Sequence, residues 1–129
     1  MDSDTHSALL ATSERACLTA PAGCGKTELI ARAVGHRVKG RQLVLTHTHA
    51  GVKALRDRLR KLGVPAVYYH VDTIAGWSLR YALAFPGLSG LESFHPQAEE
   101  WGKVYEGAFR LLQVSAIKKV VGYSYSGMY

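Results

Sequence analysis

Ala20-Pro21-Ala22-Gly23-Cys24-Gly25-Lys26-Thr27 is the stretch on which the reading of this chain turns. Before it, Ala16-Cys17-Leu18-Thr19 is short and apolar, which predicts a buried strand. After it, Glu28 to Val34 holds good helix formers with no breaker, and a helix is expected from about Lys26 to Val38. Strand, glycine-rich turn, Lys-Thr and helix together form the context of a phosphate-binding P-loop. Gly23 and Gly25 let the backbone take positive φ and approach an anion closely. Amide N–H groups of the turn and of the first helical turn then face the phosphates, with the helix dipole behind them. Lys26 would reach the β and γ phosphates, and the Thr27 hydroxyl would hold Mg²⁺. Ala20, Ala22, Gly23, Cys24, Gly25, Lys26 and Thr27 are therefore the candidate nucleotide-binding residues, with ATP and Mg²⁺ as the expected cofactors and Thr27 as the metal ligand.

Ala20 stands where the usual G-x-x-x-x-G-K-S/T pattern has its first glycine. A glycine-rich β-to-α turn that binds nothing is the plain alternative. A dinucleotide-binding fingerprint is excluded, because Glu28 occupies the position of its third glycine. No arginine follows Cys24 at the C-x₅-R spacing of a phosphatase loop.

With 129 residues, the chain supports one domain that buries roughly two-thirds of its unfolded surface. Hydrophobic residues make up 47% and charged residues 20%, ordinary for a globular protein. No apolar run approaches the ~18 residues of a membrane span. Met1-Asp2-Ser3-Asp4 is acidic where a signal peptide is basic. Cys17 and Cys24 fall on the expected strand and loop, which argues against a disulfide. A reducing cytoplasm with no membrane partner is the expected setting. The net charge of +6 favours a polyanionic partner. The positive charge gathers at Arg32, Arg37, Lys39 and Arg41, and again at Lys53, Arg56, Arg58, Arg60 and Lys61. Solvated helix faces account for such clusters equally well.

Residues 1–15 are polar and read as a flexible N-terminus, with a helical turn over Ala8 to Ala11; residues 16–129 read as one unit. Gln42-Leu43-Val44-Leu45-Thr46 predicts a second buried strand, and Val52, Leu55, Leu59 and Leu62 set one face of a helix from about Gly51 to Leu62. Gly63 and Pro65 stop that helix, and Ala66 to Val71 predicts a third strand. Asp72 or Thr73 caps a helix to Phe85, closed by Pro86-Gly87, and Leu88 to Phe94 reads as a loop. Pro96 suits the start of a helix through about Gln113, with Trp101, Val104, Tyr105, Ala108 and Leu112 as its apolar stripe. Lys118 to Tyr129 is strand-like, with a Val-Val pair and alternating Tyr and Ser. Alternating strands and helices predict an α/β fold with a parallel sheet.

The order of elements and three short motifs resemble the N-terminal ATP-binding domain of superfamily 1, UvrD/Rep-like DNA helicases. The loop form led by Ala20 is a common variant in that family. Its motif Ia resembles Thr46-His47-Thr48-His49-Ala50-Gly51-Val52-Lys53-Ala54-Leu55-Arg56-Asp57-Arg58, with both threonines kept and His47, His49 and Ala50 replacing an aromatic, an asparagine and a lysine. A third motif, Thr, Phe or Ile, His, Ser, then Phe or Trp, resembles Thr73-Ile74-Ala75-Gly76-Trp77, which has Ala75-Gly76 for His-Ser. The similarity covers about residues 16–86. It implies a P-loop NTPase (RecA-like) parallel sheet flanked by helices, ATP-Mg²⁺ binding and contact with single-stranded DNA.

Under that resemblance Thr46 and Thr48 would donate to a DNA phosphate. Lys53, Arg56 and Arg80 would add backbone electrostatics. Trp77 would stack on an unpaired base, or else pack in a core beside Ile74 and Tyr81. A metal reading of His47-Thr48-His49 lacks further ligands at a suitable spacing. The chain has no Asp-Glu pair, whereas this family uses Asp-Glu-x-Gln-Asp to hold Mg²⁺ and orient water. The arginines of later motifs and a second RecA-like domain are not recognisable either. The sequence therefore reads as the incomplete N-terminal part of a helicase, binding without turnover and awaiting the remainder of the enzyme or partner subunits. A stand-alone P-loop module that binds nucleotide or nucleic acid without catalysis is the alternative.

Overall fold

In β1 (Gln42–Thr46), Gln42, Leu43 and Val44 are all buried, so both faces of the strand are covered. This is the centre of a three-stranded parallel sheet in the order β2-β1-β3. The structure, a computed structural model, describes residues 3–23, 25–36, 40–91 and 96–129. β2 (Tyr69–Thr73) pairs with β1 in the register Gln42↔Tyr69 through Thr46↔Thr73. β3 (Gly127–Met128) pairs on the other side, Gln42↔Gly127 and Leu43↔Met128.

Helices pack on this sheet because their apolar spacing matches it. α2 (Lys26–His36) and α3 (His49–Lys61) send Ala31, Val34, Val52, Leu55 and Leu59 into one cluster with Val44, Tyr69 and Val71. Gln42 is fully buried, and its Nε2 donates to the Val34 carbonyl at 2.8 Å, tying α2 to β1. α1 (Ser3–Thr12) packs on α2; buried Ser7 places its hydroxyl 3.0 Å from His36 Nε2. α4 (Ile74–Ala84), the short α5 (Pro86–Ser89) and α6 (Trp101–Gln113) form a second cluster around Ala82, Leu91 and Val104. α7 (Ser115–Ser124) follows and leads into β3. Among the described residues no helix is long and apolar enough to cross a membrane.

Several expectations are corrected. Ala16 to Thr19 forms no strand and is exposed, because the two-residue β3 spends its ladder on β1 and offers that segment no partner. The third strand starts later than Ala66: Ala66–Tyr68 is a 3₁₀ turn, and Pro65 before it blocks an earlier ladder. Pro86 opens α5 rather than ending a helix, and Gly90 closes it at φ 77°. On α6 the buried side is Val104, Gly107, Ala108 and Leu111, while Tyr105 stays 44% exposed. The expected stripe was rotated toward its largest residues rather than its most regular spacing. Residues 118–124 are helical, since Ile117 anchors α7 against the core and only Gly127-Met128 reaches the sheet. Ser3–Thr12 is a full helix in place of a single turn within a flexible segment.

Candidate functional site

The glycine-rich loop opens α2 as a short reversal of the backbone. Gly23 and Gly25 have φ of 80° and 77°, in the left-handed region. A Cβ at either position would meet nothing within 4 Å, so conformation rather than space calls for glycine there. Among the described residues no other residue type has positive φ. Ala20 therefore needs none of the freedom of the glycine that it replaces. Leu29 N–H donates to Gly25 O at 2.9 Å, which makes Gly25 the helix boundary and leaves the amides of Lys26, Thr27 and Glu28 without helical acceptors. Lys26 Nζ donates to the Ala20 carbonyl at 2.9 Å, bridging the two ends of the loop. Ala22, Gly23, Gly25, Lys26 and Thr27 are exposed, and Ala20 is half-buried; Cys24 lies outside the described residues.

Next to this loop stands Glu28, a charge that would repel a phosphate. Its carboxylate accepts from Arg32 Nε at 2.8 Å and is paired with Arg58 of α3. Two guanidiniums thus offset it. Lys26 also borders a cleft of about 480 Å³ whose apolar wall includes Leu10, Leu18, Ile30, Met128 and Tyr129.

At the carboxyl edge of the sheet, β1 and β2 release the chain into helices in the same manner. Thr48 caps α3 by accepting from Gly51 N–H at 3.0 Å, and Thr73 caps α4 by accepting from Gly76 N–H at 2.9 Å. Asp72 Oδ1 also accepts from Thr73 N–H at 2.8 Å. A Cβ on Gly51 would lie 2.5 Å from Thr46 Oγ1 and 3.1 Å from Thr48 Oγ1; on Gly76 it would lie 2.9 Å from Asp72 Oδ1 and Thr73 Oγ1. The structure therefore gathers Thr46 and Thr48 over the first turn of α3, and the Thr48 hydroxyl retains its proton for donation to a ligand. Thr48-His49-Ala50-Gly51 and Thr73-Ile74-Ala75-Gly76 repeat one capping signature, a signal present in the sequence but not used above.

The remaining candidates separate. Lys53 is exposed on α3. Trp77 takes the core alternative: it is 5% exposed, packs on Tyr81 with centroids 4.4 Å apart, and its buried Nε1 has no acceptor among the described residues. Arg56 donates to the Val71 carbonyl at 3.0 Å along the outer edge of β2. Arg80 is held by Asp72 Oδ2 at 2.8 Å and lies 3.0 Å from His70 Nε2. Burial, and then the charges of Arg80 and Arg41, push the His70 imidazole below its ordinary range against the pull of Asp72. Burial, with a Tyr125 hydrogen bond, raises the Tyr81 phenol. The Arg58–Glu28 pairing escaped sequence reasoning, because a contact between residues 30 apart leaves no local pattern.

Comparison with protein families, curated proteins and solved structures gives no match to this chain.

Proposed function

We propose that the chain is the ATP-binding N-terminal part of an ATP-dependent DNA helicase of the UvrD/Rep-like kind, built on a P-loop (RecA-like) sheet. One observation carries the reading: the ammonium of Lys26 arches over the loop onto the Ala20 carbonyl, beside unpaired α2 amides and glycines at positive φ. A triphosphate would replace that carbonyl as the partner of Lys26, with the Thr27 hydroxyl taking Mg²⁺. The site's exposure fits a ligand of high charge, and the cleft beside Lys26 has the volume of an ordinary small-molecule site. Thr46, Thr48 and Lys53 would meet the phosphates of single-stranded DNA at the carboxyl edge of the sheet. Trp77, buried as it is, acts here through packing.

Binding without turnover is the expected behaviour of this chain by itself, since it carries no Asp-Glu pair to orient water. The same observation favours a second reading, a stand-alone P-loop module that binds nucleotide or nucleic acid without catalysis. Titration of Mg²⁺-ATP into wild type and Lys26→Ala by calorimetry tests the shared premise. A loss of at least about tenfold in affinity, equal to 1.4 kcal/mol, is expected; equal affinities would refute the phosphate site.

A further inference from the structure

Three arginines from two parts of the chain meet where the open edge of β2 reaches the amino end of the sheet. Arg41 directly precedes β1, and Arg56 and Arg60 lie one turn apart on α3. With Tyr69 and His70 of β2 they line a cavity of about 300 Å³. Arg56 is fixed there by its bond to the Val71 carbonyl, which uses one of its five donors. Arg60 holds Asp57 at 3.2 Å, but both partners are well exposed, and such a pair is weak. Among the described residues no carboxylate pairs with Arg41 or Arg56. Like charges so gathered repel one another unless an anion joins them. His70 carries the imprint of this field, its protonation disfavoured by Arg41 as well as by Arg80.

The geometry points to a second oxyanion site at this cavity, taking one phosphate group through the guanidiniums of Arg41, Arg56 and Arg60. Planar guanidiniums suit phosphate because their paired N–H groups match two oxygens at once. The site lies at the opposite end of the strands from Thr46 and Thr48, roughly 15 Å away along β1. It shares no residue with the glycine-rich loop and stands whether or not that loop binds ATP. A phosphodiester of a nucleic acid and a free phosphate ion share the chemistry that this cavity recognises.

The test uses the full chain carrying Lys26→Ala, so that the glycine-rich loop contributes nothing. Inorganic phosphate is titrated and followed by amide NMR, and oligothymidylate affinity is measured across salt concentrations. Saturable shifts at Arg41, Tyr69 and His70 are expected with phosphate, and they should vanish when Arg41→Gln and Arg60→Gln are added. Oligothymidylate should then bind at least about fivefold more weakly, with a salt slope smaller by about 1.4 for two lost phosphate contacts. A control carrying Lys103→Gln and Lys119→Gln instead, equal in charge, should stay within about twofold. Loss of the phosphate response alone assigns a free ion, and loss of oligonucleotide affinity alone assigns a phosphodiester. If neither changes, or the control loses as much, the site is refuted. Melting curves establish that the variants are folded, and Arg41→Gln alone replaces the pair should the combined variant unfold.

Discussion

Glu28 is gripped by Arg58 across the interface of α2 and α3, so the residue after the Lys-Thr pair is tied to the helix that follows β1. The pairing couples the candidate phosphate loop to the candidate DNA edge through two packed helices. It also removes a negative charge from the approach to Lys26. Arg58→Gln should weaken Mg²⁺-ATP binding a few-fold at low salt and less at high salt, while costing about 1 kcal/mol or less in stability. Glu28→Gln should leave affinity unchanged or raised. Nucleotide titrations at two ionic strengths check this, and equal behaviour of the two variants would uncouple Glu28 from the loop.

Gly25→Ala forces a side chain into the left-handed region at φ 77° without any clash. The cost of that conformation is about 1–2 kcal/mol, and the exposed loop can relax to avoid it. The melting temperature should therefore change little, while ATP affinity falls about tenfold. Calorimetry alongside thermal melts separates the two.

Alanine ordinarily improves a helix by about 1 kcal/mol over glycine. Gly51→Ala should reverse that sign, because its Cβ would meet Thr46 Oγ1 at 2.5 Å and disturb the Thr48 cap. A loss of about 1–3 kcal/mol is expected from strain and a damaged cap. Gly122→Ala on α7, where nothing lies within 4 Å, should be neutral or stabilising. Urea denaturation of the two variants gives the comparison.

Trp77 and Trp101 are the protein's tryptophans, and they differ in burial. With Trp101→Phe, the remaining emission should be blue-shifted and resist iodide, and oligothymidylate should not quench it. Trp77→Ala should cost about 3–5 kcal/mol as a core truncation. Trp77→Phe should cost far less, since it also removes an indole N–H left without an acceptor. Strong quenching of Trp77 by oligothymidylate would return it to the nucleic-acid surface.

His70 sets a pH dependence whose sign follows from its lowered protonation. Its folded value lies below the ordinary 6.5, so between the two the unfolded chain binds more protons. Stability is therefore full above about 6.5 and falls as pH drops toward the folded value. His70→Gln should flatten the melting temperature over that window relative to wild type. An unchanged slope would show that the Arg41 and Arg80 charges are screened.

The helices α2, α3 and α4 and the strand β1 were legible because each carries its own local signal. The apolar spacing of Val52, Leu55 and Leu59, the threonine caps and the stop at Gly63-Val64-Pro65 act within a few residues. The candidate loop was legible for the same reason, since glycine and Lys-Thr at fixed spacing suffice to place it. Ala16 to Thr19 misled because an apolar run becomes a strand only where a neighbour offers free backbone groups. Trp77 could not be assigned from its motif, because burial depends on where Tyr81 and the second cluster pack.

The sequence by itself determined the parallel α/β alternation, the loop at residues 20–27 and the positive charge. Those properties are written in short-range chemistry: hydrophobic period, backbone freedom at glycine, and side-chain type. Only the tertiary structure decided that Arg58 neutralises Glu28, that Thr46 stands beside Thr73, and that Arg41 joins Arg56 and Arg60. Each of these joins residues far apart in the chain, and their meeting is set by strand register and helix packing, which no local pattern encodes.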